Sequence, residues 1–532
     1  MTTLARNALH QARYAPKRRS GGLFLPAPVG GWNAVDPQGM MKPEYAVSMI
    51  NFFPMENGLV TRGGSDVWCA MDSPVETLME YKGGVARFAV SGGTIYTLPA
   101  TQGGKPTATP VTGLTNSQMQ HVQIGTPGGN FLWCCNGADA PRYYDGTEWK
   151  TAELTSTETG FSGTAIVNCC VYQNRLFLCA KDSLTLWYLG TQAIQGEAKP
   201  LFMGSYLTRG GYLMACANMT VDGGDGPDDY LVVVTSEGEA LVFKGKNPDD
   251  ATAWTMTGRF QFSRPLGYRC LQKFGGDLIV ITEHGVAGVA SMLSNELPGL
   301  KSSSTEKIQP LWADMTRGKS EAFGWQACIY HRRGLLFVNV VAGSLFGQLV
   351  LNLETHAWSK LQGWEGARCL LETAGEIWAG FGDSVRRLDV GFHDIGTSGE
   401  KTPVVGTVQQ AFIFAGRKDR RKRYTLMRPY IICRNLPRLG AAIATDSVPV
   451  PRVVRQVMDF SGSPRTGATW NIAVWDVSEW GLREVDELKL RTRWVSLVGH
   501  GYSVSPVIEV SSQSGTVTYT GCDLQYEVGN AL

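Results

Sequence analysis

Short apolar runs separated by glycine-containing turns dominate the chain between about residues 90 and 390. Each turn leads into a β-branched or aromatic stretch, a brief polar break follows, and a second stretch often ends in an aromatic residue. The phrase reads GGTIYTL from Gly92, GNFLWCCNGADAPRYYDGTEW from Gly129, NRLFLCAKDSLTLWYLG from Asn174 and DYLVVVTSEGEALVFKG from Asp229. It returns as GDLIVITEHGVAGVA from Gly276, GLLFVNVVAGSLFGQLVLNLETHAWSKL from Gly334 and EIWAGFGDSVRRLDV from Glu376. Strand starts at Thr94, Phe131, Arg175, Tyr230, Asp277, Leu335 and Ile377 recur on average every ~47 residues, close to the length of a four-stranded propeller blade. A single blade cannot bury both of its faces, whereas radial stacking of blades can. The repeat therefore predicts an all-β chain with a β-propeller of six or seven blades over residues 67–395. Stacked β-sandwiches are the alternative arrangement of such strands.

The texture changes beyond LDVGFHDIGTSGEKTP. Glycine thins out, and VVGTVQQAFIFAG, TLMRPYIICR, WNIAVWDV, RTRWVSLVGHGYSVSPVIEVSS and TVTYTGCDLQYEV are longer alternating runs. They predict a C-terminal β-sandwich or platform domain over residues 401–532. Ahead of the repeats, NFFPMENGLVTRGG predicts a hairpin. Pro54 biases Phe53 toward an extended backbone, and Asn57-Gly58 suits the positive φ angles of a tight turn between Ile50–Phe53 and Leu59–Thr61. Residues 21–66 are expected to join the platform domain, and residues 1–20 to form a basic arm. No convincing amphipathic helix exceeds a few turns, and nowhere do 18 apolar residues run together, so no membrane span is expected.

Composition agrees with strands and turns: 63 Gly, 15 Trp and only 18% charged residues. Twelve cysteines include the adjacent pairs Cys134-Cys135 and Cys169-Cys170, and most of the others sit within apolar runs. They read as reduced core thiols of a protein folded in a cytoplasm, and the lack of any Cys-x-x-Cys pair leaves a structural zinc site unsupported. The net charge of +2 conceals asymmetry. Residues 1–22 and 411–438 together carry +13, which leaves about −11 on the rest of the chain.

The segment GGLFLPAPVGGWNAVDPQGMMKPEYAVSMINFFPMENGLVTRGG, residues 21–64, resembles the opening of the tail hub, tail nozzle or DNA-stabilisation proteins of short-tailed bacteriophages. The matching features are Pro28, Gly30-Gly31-Trp32-Asn33, Asp36-Pro37, Met40-Met41, Pro43, Ala46, Asn51-Phe52-Phe53-Pro54 and Arg62-Gly63. The resemblance implies a structural virion protein. Six subunits would ring the space below the head-to-tail adaptor, and double-stranded DNA would leave through the central channel without sequence recognition. Tail fibres or tailspikes would dock outside. Trp32, Asn51, Phe53, Pro54, Asn57, Gly58 and Arg62 are then expected to form an assembly hairpin.

Other candidate sites weigh less. YDGTEW at Tyr144–Trp149 lacks the Ser-x-Asp-x-Gly spacing of a sialidase Asp-box and reads as a turn, as does NLETHAW at Asn352. DGGDGPDD, from Asp222 to Asp229, gathers acids but lacks the bidentate Glu of an EF-hand. Seven histidines form no metal-hydrolase spacing. No catalytic, cofactor-binding or metal-ligating residue is assigned. The sharpest charged feature is GRKDRRKRY, in which Arg417, Lys418, Arg420, Arg421, Lys422 and Arg423 are expected to meet an acidic neighbour or DNA phosphates. The expected function is a non-enzymatic tail-nozzle subunit. A carbohydrate-active propeller and a cellular propeller scaffold are the alternatives.

Overall fold

A computed structural model describes residues 20–222, 227–250, 252–289, 304–342, 345–434, 437–446, 489–512 and 515–529. The expected basic arm, apart from Ser20, and the WNIAVWDV run lie outside the described residues. The chain divides into two compact units, Arg62–Val404 and the combination of Met1–Thr61 with Val405–Leu532.

The unit Arg62–Val404 is a β-propeller. Its antiparallel sheets follow in chain order as blade one (residues 75–108), two (120–151), three (166–202), four (213–261), five (271–288), six (326–361) and seven (369–390). Among the described residues six blades have four strands and blade five has three. From blade two to blade seven the innermost strand of each packs on that of the next, the ring closes where Cys369–Thr373 of blade seven meets Val75–Tyr81 of blade one, and Val75–Tyr81 meets blade two at Gly129–Cys135. The fourth strand of blade seven is Gly64–Ala70, which comes from the beginning of the unit and pairs antiparallel with Ser384–Val390.

Apolar clusters fill the wedges between blades, which is why both faces of these strands are hydrophobic. Met79, Phe88, Leu132 and Trp149 join blades one and two, and Ile124, Trp133, Leu178 and Trp187 join two and three. Val75, Leu78, Cys369 and Trp378 join seven and one. All twelve cysteines are buried free thiols. The repeated sequence phrase marks the second strand of blades two to seven. Only Thr94 falls elsewhere, on the third strand of blade one, because the second strand, Ala86–Ser91, begins with an Ala-Arg pair that hides its apolar character.

The second unit is a two-sheet β-sandwich made from both ends of the chain. In one sheet Val517–Val528 is central, flanked by Lys422–Cys433 and Ser20–Pro26, with the hairpin Phe52–Met55 and Gly58–Thr61 extending it. In the other, Ala46–Ile50 pairs with Val405–Gln410, which pairs with Val504–Ser511 and through it with Arg438–Thr445. Leu25, Met49, Phe52 and Leu59 from the N-terminal segment enter one core with Val408, Met427, Ile508, Tyr519 and Leu524. Residues 62–66, expected with the N-terminal segment, lie in the propeller unit instead, because the closing strand starts at Gly64.

Phe52 is fully buried, and its ring lies so close to the backbone that a Cβ at Gly406 would come within 2.8 Å of it. Truncation leaves a cavity that this tight surround cannot easily refill. Phe52→Ala is expected to destabilise the sandwich unit by about 3–5 kcal/mol. Calorimetry should show that loss in the sandwich transition, with the propeller transition unmoved.

Candidate functional site

The basic segment lies at the start of strand Lys422–Cys433, after a turn in which Gly416 takes φ +73°. Alternation along the strand sorts its charges. Arg421 and Arg423 are exposed, whereas Lys422 points inward and is 1% exposed. Its Nζ donates to Arg417 O at 2.6 Å and to Tyr502 O at 3.1 Å, and burial pushes its pKa down. Lys422 therefore fastens the preceding loop to the Tyr502 turn and is no part of an exposed cluster of six. Arg417 forks onto Asp419 at 2.6 and 3.0 Å, Lys418 lies 5.2 Å above the Phe414 ring, and Arg420 is half-buried. The solvent-facing cations are Arg417, Lys418, Arg421 and Arg423.

Further along the same strand the outward positions carry a feature that sequence reasoning passed over. Arg428 pairs with Asp523 at 2.5 Å, and its guanidinium stands 4.8 Å from the Trp494 ring and 5.2 Å from that of Tyr430. Tyr430 donates to the same carboxylate at 2.6 Å and meets Phe24 edge-on at 6.0 Å. Phe24 is 57% exposed, and Leu490, paired opposite Ile432, is 59% exposed. The outward face thus combines aromatic, aliphatic and arginine groups, the chemistry enriched at protein interfaces. The period-two spacing of Arg428, Tyr430 and Ile432 in TLMRPYIICR was the available signal.

The expected hairpin forms with a shifted turn. Met55 pairs with Gly58, so Glu56 and Asn57 are the central residues, and Gly58 opens the returning strand. Asn57 keeps a negative φ. The glycine is required because a Cβ there would come within 2.6 Å of Tyr519 O on the adjoining strand. Gly58 does take a positive φ, +142°, and Asn51 takes another at 58°, its Nδ2 donating to Val405 O at 2.9 Å. Phe53 is fully buried, and Pro54 sits in the terminal strand of its sheet path, where a missing N–H is tolerated. Trp32 Nε1 donates to Val47 O at 3.0 Å, tying the loop that precedes the hairpin to strand Ala46–Ile50.

Arg62 belongs to a different site, inside the propeller unit. Its side chain is 1% exposed and grips Asp394 through two bonds of 2.6 and 3.1 Å. It also donates to Gly63 O at 2.7 Å and to Gln362 O, and lies 4.4 Å from the Trp364 ring. Trp364 Nε1 and Ser65 Oγ each donate to Asp394 Oδ1 at 3.0 Å. Gly363, at φ +98°, leaves room for the pair, since a Cβ there would stand 2.6 Å from Arg62 and 2.5 Å from Asp394.

The acid-rich turns are occupied by their own backbone. Asp145 Oδ1 accepts from Thr147 N at 2.8 Å and Glu148 N at 2.9 Å, and Asn352 Oδ1 accepts from Glu354 N and Thr355 N in the same way. Partial burial acts to raise the Asp145 pKa, but Lys150 and the Thr147 bonds outweigh it and hold the carboxyl well below its usual range. Much of DGGDGPDD lies outside the described residues. Of its acids, Asp228 pairs with Lys244 at 2.6 Å and Asp229 accepts from Thr220 at 2.8 Å. Among the described residues no group of three or more His, Cys, Asp or Glu side chains could hold a metal, and no helix is long and apolar enough to cross a membrane.

No known protein family matches the chain, and no curated protein matches it. Among solved structures it is similar to Raptor from Chaetomium thermophilum, at 10% identity and a TM-score of 0.40, covering 62% of this chain and 29% of that one. It is also similar to the WD40 repeats of RRP9, at 12% identity and a TM-score of 0.38, covering 62% and 99%. A third is the extracellular domain of a putative one component system, BT4673, from B. thetaiotaomicron, at 11% identity and a TM-score of 0.38, covering 74% and 57%.

Two substitutions separate structural from exposed charge. Lys422→Ala leaves two carbonyls without their donor and is expected to cost about 2–4 kcal/mol, whereas Arg421→Ala or Arg423→Ala should change stability by less than about 0.5 kcal/mol. Urea titration of the three variants checks the contrast. Arg62→Met removes the cation from the half-buried Asp394 carboxylate, which keeps only its Ser65 and Trp364 donors, and should destabilise the propeller by about 3 kcal/mol. The double variant Arg62→Met/Asp394→Leu should recover much of that loss in the same titration.

Proposed function

We propose that the chain is a structural subunit of the tail nozzle, or hub, of a short-tailed bacteriophage. In this reading six copies ring the space below the head-to-tail adaptor, double-stranded DNA leaves through the channel without sequence recognition, and fibres or tailspikes dock outside. The protein would be made in the host cytoplasm and reside in the virion tail.

The observation that carries the reading is the position of the motif-bearing segment. Ser20–Pro26 pairs with the C-terminal strand over seven consecutive residue pairs, and the hairpin continues that sheet, so the two chain ends build one sandwich with the propeller sequence inserted between them. A base unit of this kind can hold its assembly contacts constant whatever the inserted propeller carries. The outward face with Phe24, Tyr430, Trp494 and the Arg428–Asp523 pair supports protein assembly at that base. The solvent-facing Lys418, Arg421 and Arg423 supply steering toward an acidic partner. The negative balance of the rest of the chain suits a lumen that does not retain DNA, because each Lys or Arg neutralising a phosphate would add affinity through counterion release.

Negative-stain microscopy of the purified chain, alone and with adaptor-bearing phage heads, tests the reading. Six-fold rings or nozzle-shaped complexes are expected. A chain that stays monomeric in both conditions, or a monomer that cleaves glycans, would overturn it. In the same assay Lys418→Gln/Arg421→Gln/Arg423→Gln should dock more weakly at low salt and lose most of the wild-type salt dependence.

A further inference from the structure

Blade five breaks its pairing at the axis of the propeller. Leu266 N donates to Ile281 O at 3.1 Å, and Ile281 N donates to Cys270 O at 3.0 Å. Gly267, Tyr268 and Arg269 therefore loop out between two bonds to the same partner residue, in the manner of an enlarged bulge. Gly267 takes φ +67° and is anchored by its N–H on Ser320 O at 2.8 Å. Arg269 reaches from this loop to other blades. One terminal nitrogen donates to Glu76 O at 3.1 Å, and the other donates to Thr77 Oγ1 at 2.7 Å and Met119 O at 2.9 Å. Tyr268 O accepts from Asn168 Nδ2 of blade three at 3.1 Å.

Arg269 stands where two cavities meet. The larger, about 230 Å³, is bounded by inner strands and includes Gln120, His121, Gln272 and Gln326 in its wall, along with buried thiols and Arg269 itself. The smaller, about 80 Å³, shares Gln120, Tyr268 and Arg269 and has the Glu321 carboxylate in its wall. No carboxylate lines the larger cavity. The hydrogen-bond acceptors of Arg269 are two carbonyls and a hydroxyl, all neutral, and among the described residues no carboxylate forms an ion pair with it. A guanidinium remains protonated even when burial disfavours its charge, so the wall carries a fixed positive charge that no carboxylate touches directly and that Glu76 offsets only through space. Burial and the neighbouring Arg269 together push the His121 pKa down to about 4, which leaves its imidazole neutral and able to donate one bond. The side chains of Gln120 and His121 make no hydrogen bond among the described residues, and both residues line this space.

We propose that the axial cavity binds a small oxyanion, a phosphate or carboxylate group, with Arg269 as its counter-charge and Gln120 and His121 as hydrogen-bond donors. The bound anion would supply a negative charge inside the larger cavity, whose own wall has no carboxylate. It would also tighten the link that Arg269 makes between blade five and blades one and two. The site is independent of the tail-nozzle reading and stands or falls separately from it.

Thermal unfolding of the full chain in sodium chloride, inorganic phosphate or malonate at matched ionic strength tests the proposal, with isothermal titration of the same anions as the direct readout. At 100-fold excess over Kd the propeller transition should rise by roughly 2–5 °C above the chloride control. A response to phosphate alone would identify a phosphoryl ligand, and a response to malonate alone a carboxylate ligand. Gln120→Glu places a carboxylate in the cavity wall and should abolish the anion-specific rise. Gln272→Glu provides the same counter-charge from blade five should the first variant fold poorly. No rise beyond chloride in the wild-type chain, or an undiminished rise in the folded carboxylate variant, would overturn the proposal.

Discussion

The pairing of Gly64–Ala70 with Ser384–Val390 is the constraint on which the propeller depends. A blade has two apolar faces, and a stack of blades satisfies them all only when its ends meet. Here the ends meet through a strand taken from the start of the unit, so closure couples residues about 320 positions apart. Closing so long a loop costs chain entropy before any contact repays it. The wedge of Val75, Leu78, Cys369 and Trp378 repays it with apolar burial, and Arg62 locks the entry of the closing strand onto Asp394. The latch is polar yet compatible with burial, because Asp394 also accepts from Ser65 and Trp364.

The sandwich unit solves a related problem by different means. Its central strand, Val517–Val528, has partners drawn from both chain termini, and the core is continuous only when Leu25, Met49, Phe52 and Leu59 are present. Its outward face exposes Phe24, Leu490 and Trp494 among the described residues, and solvent-facing cations lie at the start of the same sheet's long strand. The strand Lys422–Cys433 carries Arg423, Arg428 and Tyr430, and the loop that leads into it carries Arg417, Lys418 and Arg421, so interface chemistry and steering charge sit along one continuous segment. Lys422 shows how this segment is held. A cation turned inward, bonded to two carbonyls, pins the loop that displays the others.

Much of the fold was legible in the sequence. The recurrence of apolar pairs and turns reports blade periodicity directly, since every blade faces the same packing problem and meets it with similar strands. The longer alternating runs after residue 401 report strands with one buried and one open face. The Asn-Gly step reports a hairpin, because few residues fit so tight a reversal. These are local demands, expressed within a few residues of where they act.

Only the tertiary structure decided the rest, and in each case the cause lies far away in sequence. The turn shifted so that Gly58 could lie against Tyr519 O, more than 450 residues distant. Arg62 left the hairpin for a carboxylate that folding brings beside it. Lys422 was separated from five neighbouring cations by strand alternation and by a carbonyl at Tyr502. Arg269 gave no local signal at all, because its role depends on a bulge in blade five and on blades one and two lying within reach of it. Sequence determined what each segment can form by itself. The chain's closure on itself determined which charges are buried and which remain free to meet a partner, because burial is set by neighbours that only the folded chain supplies.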